Sequence, residues 1–124
     1  MLFDKYGSEV EFLVVYTIEA HPLGTSNPYS QKEVPGKYSR DPGGAPIGQP
    51  ATYEERALLA IKAGEEDGIL ATILVDSMDN VVWSTYGPAP NIAYLIGMDG
   101  TVLLRQPWYD PKAMESAIKA LLSK

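Results

Sequence analysis

EFLVVYTIEAH, residues 11–21, joins an unbroken apolar run to a polar end. Phe12 to Tyr16 is aromatic, aliphatic and β-branched throughout, with Glu11 before it and His21-Pro22-Leu23-Gly24 after it. A short continuous run of that kind suits a strand covered on both faces, as in a parallel or mixed sheet. The expected strand covers about residues 11–18. Glu19 and His21 then fall at its carboxyl end, where open α/β sheets bind ligands. His21 is the only histidine, and an imidazole is a general acid–base group. Continued at a period of two, Glu19 and His21 share a face, within reach of a Glu–His hydrogen bond.

Upstream, Leu2, Phe3 and Tyr6 have the spacing of a final helical turn or two, with Gly7 as its C′ residue. Starting at residue 1 without an N-cap, this reads as the tail of a longer helix. Downstream, periodicity dissolves from Pro22 to Pro50, a Pro/Gly-rich insert at about 22–50. Stretches of that length are functional lids or tolerated surface insertions, and Tyr29 and Tyr38 are its candidate anchors.

Thr52 with Glu55 three residues on forms a capping box opening a helix. Its predicted buried stripe is Ala57, Leu58, Leu59 and Ile61, and Gly64 or Gly68 ends it. ILATILV (69–75) is a second buried-type strand, and Val81–Tyr86 a helical turn capped by the preceding aspartates and Asn80. After Gly87-Pro88-Ala89-Pro90 comes a strand at 92–96. Asp99-Gly100 is a hairpin signal, so 101–105 pairs back antiparallel. Asp110-Pro111 starts the last helix as N-cap and N1, with Met114, Ile118, Leu121 and Leu122 as its apolar stripe.

The 124 residues are read as a single domain. The hydrophobic fraction is 45%, the charged fraction 21% and the net charge −6. That balance, with no basic cluster, argues against a nucleic-acid partner. No apolar run approaches the ~18 residues of a membrane span, and no signal-peptide pattern opens the chain, so a cytoplasmic protein is expected. There is no cysteine, which removes disulfides, thiolate metal sites and a cysteine nucleophile from these residues. Neither a metal nor another cofactor is expected. Asp76, Asp79 and Asn80 fall short of a calcium ligand set and read as turn and helix caps. Trp83, Trp108 and Tyr109 read as packing residues. Gly43-Gly44 lacks the Lys-Ser/Thr of a phosphate loop, and no serine nucleophile elbow is present.

The order of elements, with a proline just before the hairpin, resembles the carboxyl-terminal part of a thioredoxin fold. FLVVYTIEAHP, GQPATYEERALLA, VDSMDNVV, AYLIGMDGTVLLR and PWYDPKAMESAI look like successive blocks of the iodothyronine deiodinase family and its bacterial relatives. The resemblance covers nearly the whole chain. It implies an α/β, thioredoxin-like fold: a mixed sheet of about four strands with flanking helices, N-terminally incomplete. It also implies descent from a thiol- or selenol-dependent oxidoreductase.

In that family the nucleophile is a selenocysteine or cysteine upstream of the first helix, and no such residue is present here. The chain is either a truncated reading frame or a variant without the chemistry, and is expected to be inactive by itself. By resemblance, Glu19 and His21 carry ancestral catalytic roles in proton delivery, and Tyr16 and Pro90 bind substrate. Pro90 matches the proline that is cis in thioredoxin folds and faces the nucleophile. Where the family has an arginine two residues further on, this chain has Ile92, which removes the partner for an iodothyronine carboxylate. A thioredoxin sheet lacking its first strand has an open edge, so a homodimer is expected to cover it. The alternative is a non-enzymatic binding or assembly module using the strand-end pocket or that edge.

Overall fold

A computed structural model of the chain describes residues 1–29, 31–32, 36–87 and 91–124. The fold class is mixed α/β: α1 (Leu2–Tyr6), β1 (Leu13–Tyr16), α2 (Tyr53–Glu66), β2 (Thr72–Val75), α3 (Val81–Tyr86), β3 (Ala93–Ile96), β4 (Val102–Gln106) and α4 (Pro111–Leu122). Where about four strands in one mixed sheet are predicted, the described residues form two two-stranded sheets, parallel β1–β2 and antiparallel β3–β4. The crossover and the hairpin are set locally, whereas joining the two pairs requires contacts between distant segments. Among the described residues, no helix is long and apolar enough to cross a membrane.

Two compact units result, one of residues 7–88 and one of residues 1–6 with 89–124. In the first, β1 and β2 run in register from Leu13↔Thr72 to Tyr16↔Val75. Both strands are shorter than predicted and less covered. Leu13, Val14 and Leu74 are exposed, because a two-stranded pair with α2 packed on β2 cannot cover both faces.

Thr52 caps α2 as predicted, its hydroxyl accepting the Glu55 N–H at 3.2 Å. The Glu55 carboxylate returns to the Ala51 N–H at 2.7 Å, one residue beyond the usual capping-box donor. The buried stripe, however, is Arg56, Ala60 and Gly64, not Ala57, Leu58, Leu59 and Ile61. Leu58 is 52% and Ile61 57% exposed. The helix is rolled because Gly64 lies directly under Ile73, so close that a Cβ there would meet the Ile73 δ-methyl. That face also carries Arg56 to the ends of the strands. The helix runs past Gly64 and ends before Gly68, whose φ of 62° is the left-handed turn a glycine supplies.

In the second unit the Asp99-Gly100 hairpin forms as expected, with a register shift between Leu95 and Ile96. Asp110 caps α4 through Lys112 and Ala113 N–H, with Pro111 opening the helix. Met114, Ile118 and Leu95 make its core, while Leu122 in the last turn of α4 stays exposed. Trp108, 65% exposed, is not a packing residue. A buried Gln106 closes the turn into α4: its amide donates to the Asp110 C=O and accepts the Asp110 N–H, both at 3.1 Å.

Candidate functional site

In the unit of residues 7–88 the buried groups are mostly polar. Among the described residues Glu19, Asn27, Arg56 and Asp76 are each under 9% exposed, against the small apolar side chains of Pro22, Pro50 and Ala60. Such groups must be partnered if their burial is not to be costly, and the partners define the site.

Regular strand geometry ends at Tyr16. The bend beyond it lets the Tyr16 hydroxyl donate to the Glu19 carboxylate Oε1. The backbone of Glu19 is held by one side chain. Its N–H donates to Gln49 Oε1 at 3.0 Å, and its C=O accepts from Gln49 Nε2 at 2.7 Å. A single amide thus stands in for a neighbouring strand.

His21 does not meet Glu19. The period-two expectation fails because the chain leaves extended geometry before either residue. The ring of His21 is exposed, and its Nδ1 lies 3.0 Å from Asn27 Nδ2. Asn27 Oδ1 accepts the Tyr29 N–H at 2.7 Å, so its NH2 group is the one that faces the imidazole. Nδ1 is therefore the acceptor, and the neutral ring carries its proton on Nε2. The His21 backbone is bound on both sides, accepting from the Ser39 N–H at 2.7 Å and donating to Ser39 Oγ at 3.4 Å.

Further backbone bonds hold the insert among its described residues. Leu23 N–H bonds to Ile47 C=O and Ile47 N–H to Ser39 C=O, folding residues 39–47 back along the strand end. Tyr29 serves as the predicted anchor: its hydroxyl accepts from Trp83 Nε1 at 3.2 Å, and the rings meet edge-on at 5.9 Å.

Opposite the insert, Asp76 N–H bonds to the Tyr16 C=O at 2.9 Å. The Asp76 carboxylate caps α3, accepting from Val82 N–H at 2.9 Å and Trp83 N–H at 3.0 Å. Asn80, in the left-handed region at φ 56°, contributes no side-chain cap; its Oδ1 takes Arg56 Nη2 at 3.0 Å. Arg56 Nη1 also donates to the carbonyls of Asp76 at 3.2 Å and Ser77 at 2.7 Å.

Burial, and then the hydrogen bond and charge of Glu19, push the Tyr16 hydroxyl well above the ordinary tyrosine value, while the charge of Arg56 pulls it down. Burial also raises Tyr29, with the Trp83 N–H opposing and the Glu19 charge adding. Both phenols therefore stay protonated at physiological pH, Tyr16 as donor to Glu19 and Tyr29 as acceptor from Trp83. The arrangement can hold a proton between a phenol and a carboxylate and present an imidazole N–H to solvent.

Tyr16 and Glu19 are thus brought together past the end of β1, His21 is bonded instead to Asn27 and Ser39, and Pro90 lies outside the described residues. The sequence pattern missed Asn27, Gln49 and Arg56. Asn27-Pro28 carries the signature of an Asx turn, and the small residues Ala60 and Gly64 at four-residue steps from Arg56 mark the packed face. Gln49 left no signal. A shallow groove of about 440 Å³ between Asp41, Pro42 and Gly43 and Lys62, Glu65 and Glu66 shares no residue with this cluster. No family model matches the chain, and no curated protein or solved structure matches it.

Proposed function

We propose that the chain is a deiodinase-like protein of thioredoxin-like fold, one domain of a thiol- or selenol-dependent oxidoreductase lineage. In this reading Tyr16, Glu19 and His21 bind a small phenolic substrate and handle its proton. The observation that carries the reading is the Tyr16–Glu19 hydrogen bond at the carboxyl end of a parallel strand, with His21, held by Asn27, two residues further along the chain. The crossover β1–α2–β2 and the β3–β4 hairpin support the thioredoxin-like assignment. No residue among the 124 is a cysteine, so the chain alone performs no chalcogen chemistry. The same reading expects a cytoplasmic setting, where thiol reductants are maintained.

Because Ile92 offers no partner to a carboxylate, the suitable probe is 2,6-diiodophenol. Added to the isotope-labelled chain, it should shift the NMR signals of Tyr16, His21 and Trp83. With dithiothreitol present, iodide release should stay at background. Unmoved signals at those three residues would overturn the reading, as would thiol-dependent turnover.

A second reading, a binding or assembly module, is favoured by Leu13, Val14 and Leu74, exposed on strands that each have one partner among the described residues. Exposed apolar edges recruit further chains, and the simplest product is a two-fold homodimer. Light scattering should then give twice the chain mass, and a monomer at micromolar concentration would refute it.

A further inference from the structure

We propose that Arg56 is a positioning residue for the Tyr16–Glu19 pair, its guanidinium gripping the carboxyl end of β2, which in turn holds the backbone of Tyr16. This rests on the reading of the strand end as a proton-handling site. Arg56 is 2% exposed, and among the described residues no carboxylate pairs with it. Its bonds go instead to two consecutive carbonyls, Asp76 and Ser77, and to Asn80 Oδ1. The amide of Asp76 is bonded in turn to the Tyr16 carbonyl. Two bonds therefore separate the guanidinium from the residue whose hydroxyl meets Glu19.

A helix that needed only to pack would bury a leucine here at less cost, since the desolvation of a buried cation is repaid only in part by its hydrogen bonds. Arg56 Nε has no partner among the described residues. Its fork is thus spent on the strand ends at the expense of full satisfaction. The charged groups acting on the Tyr16 hydroxyl are Glu19 from its own segment and Arg56 from α2, and they act in opposite directions. The arginine thereby fixes where the phenol stands and moderates how strongly it keeps its proton.

The test uses the full chain with Arg56→Met, Arg56→Lys and Asn80→Ala. It follows the hydrogen-bonded Tyr16 hydroxyl proton by NMR, the fold by circular dichroism and 2,6-diiodophenol affinity. Arg56→Met should erase the hydroxyl signal and weaken 2,6-diiodophenol binding by about tenfold, the scale of the single Tyr16–Glu19 hydrogen bond that it positions, with the circular dichroism retained. Arg56→Lys, which keeps the charge, should recover the hydroxyl signal. An unchanged signal in Arg56→Met would overturn the proposal. Should Arg56→Met fail to fold, Asn80→Ala decides. It frees one arm of the fork without touching the charge, and a moved Tyr16 hydroxyl supports the role while an unmoved one refutes it. Failure of the wild type to bind the phenol would sink the substrate reading alone, because the hydroxyl signal reports on Arg56 independently.

Discussion

The hydroxyl of Tyr16 donates to the carboxylate of Glu19, three residues further along the chain and past the end of β1. The pair is sequence-local but not part of any regular element, so it depends on the bend held by Gln49 and on the strand end behind it.

Tyrosine in an unfolded chain ionises near pH 10, and in the folded protein Tyr16 does so only at higher pH. A raised value means that the stability from keeping the phenol neutral is fully present below about pH 10 and is lost as pH rises through the folded value. Urea midpoints should therefore fall in strong alkali. In Tyr16→Phe that fall should be smaller, while the variant should be about 1–3 kcal/mol less stable at pH 7 because Glu19 loses its donor. Glu19→Gln should lower the Tyr16 ionisation toward the ordinary range, read as absorbance at 295 nm.

Asp76 closes two amides at the start of α3 from outside the helix. Asp76→Ala should cost about 2 kcal/mol or more, the upper range for a lost cap because the site is buried. Asp76→Asn, with one carbonyl acceptor left, should lose about half as much. Near-ultraviolet circular dichroism reports the disturbance through Trp83, which bears one of the two amides.

Gly64 and Ile73 should be coupled. Alanine in a helix interior is favoured over glycine by about 1 kcal/mol, but at Gly64 its methyl must displace the Ile73 δ-methyl. Gly64→Ala should be neutral or destabilising by about 1–2 kcal/mol in the natural background. With Ile73→Val, which removes that methyl, the same change should become stabilising. A double-mutant cycle by urea denaturation measures the interaction, expected at about 1 kcal/mol or more.

Glu115 gathers three donors on one oxygen: Lys5 Nζ and the Tyr6 hydroxyl, each at 3.1 Å, and Lys119 Nζ at 3.3 Å. Lys5, then Tyr6 and Lys119, hold its carboxyl below the ordinary value. A lowered acid contributes stability above its unfolded value, near 4.5, that is lost as pH falls through the folded one. Glu115→Gln should flatten the melting temperature against pH below about pH 5.

The elements legible in the sequence were those whose determinants are local. Thr52 with Glu55, Asp110 with Pro111, and Asp99-Gly100 each state their role within four residues, and all three terminate or turn the chain where read, although the Glu55 carboxylate returns to Ala51 and not to Thr52. The face of α2 was not legible. Its apolar periodicity points to Leu58 and Ile61, but its orientation is fixed by a glycine fitting Ile73 and an arginine reaching carbonyls 20 and 21 residues away. At the site, Tyr16, Glu19 and His21 could be named from the strand that bears them. Their pairing could not, because it depends on how the chain turns after Tyr16 and on amides delivered by the insert.

The grip of Gln49 on Glu19 spans 30 residues and ties off the intervening chain at its base. Lengthening a loop that is already fastened costs little entropy, about 0.6 kcal/mol for each doubling. The exposed tip at Gly43-Gly44 is thus a natural port for grafting an epitope or a fluorophore, with the phenol–carboxylate pair insulated from whatever is attached.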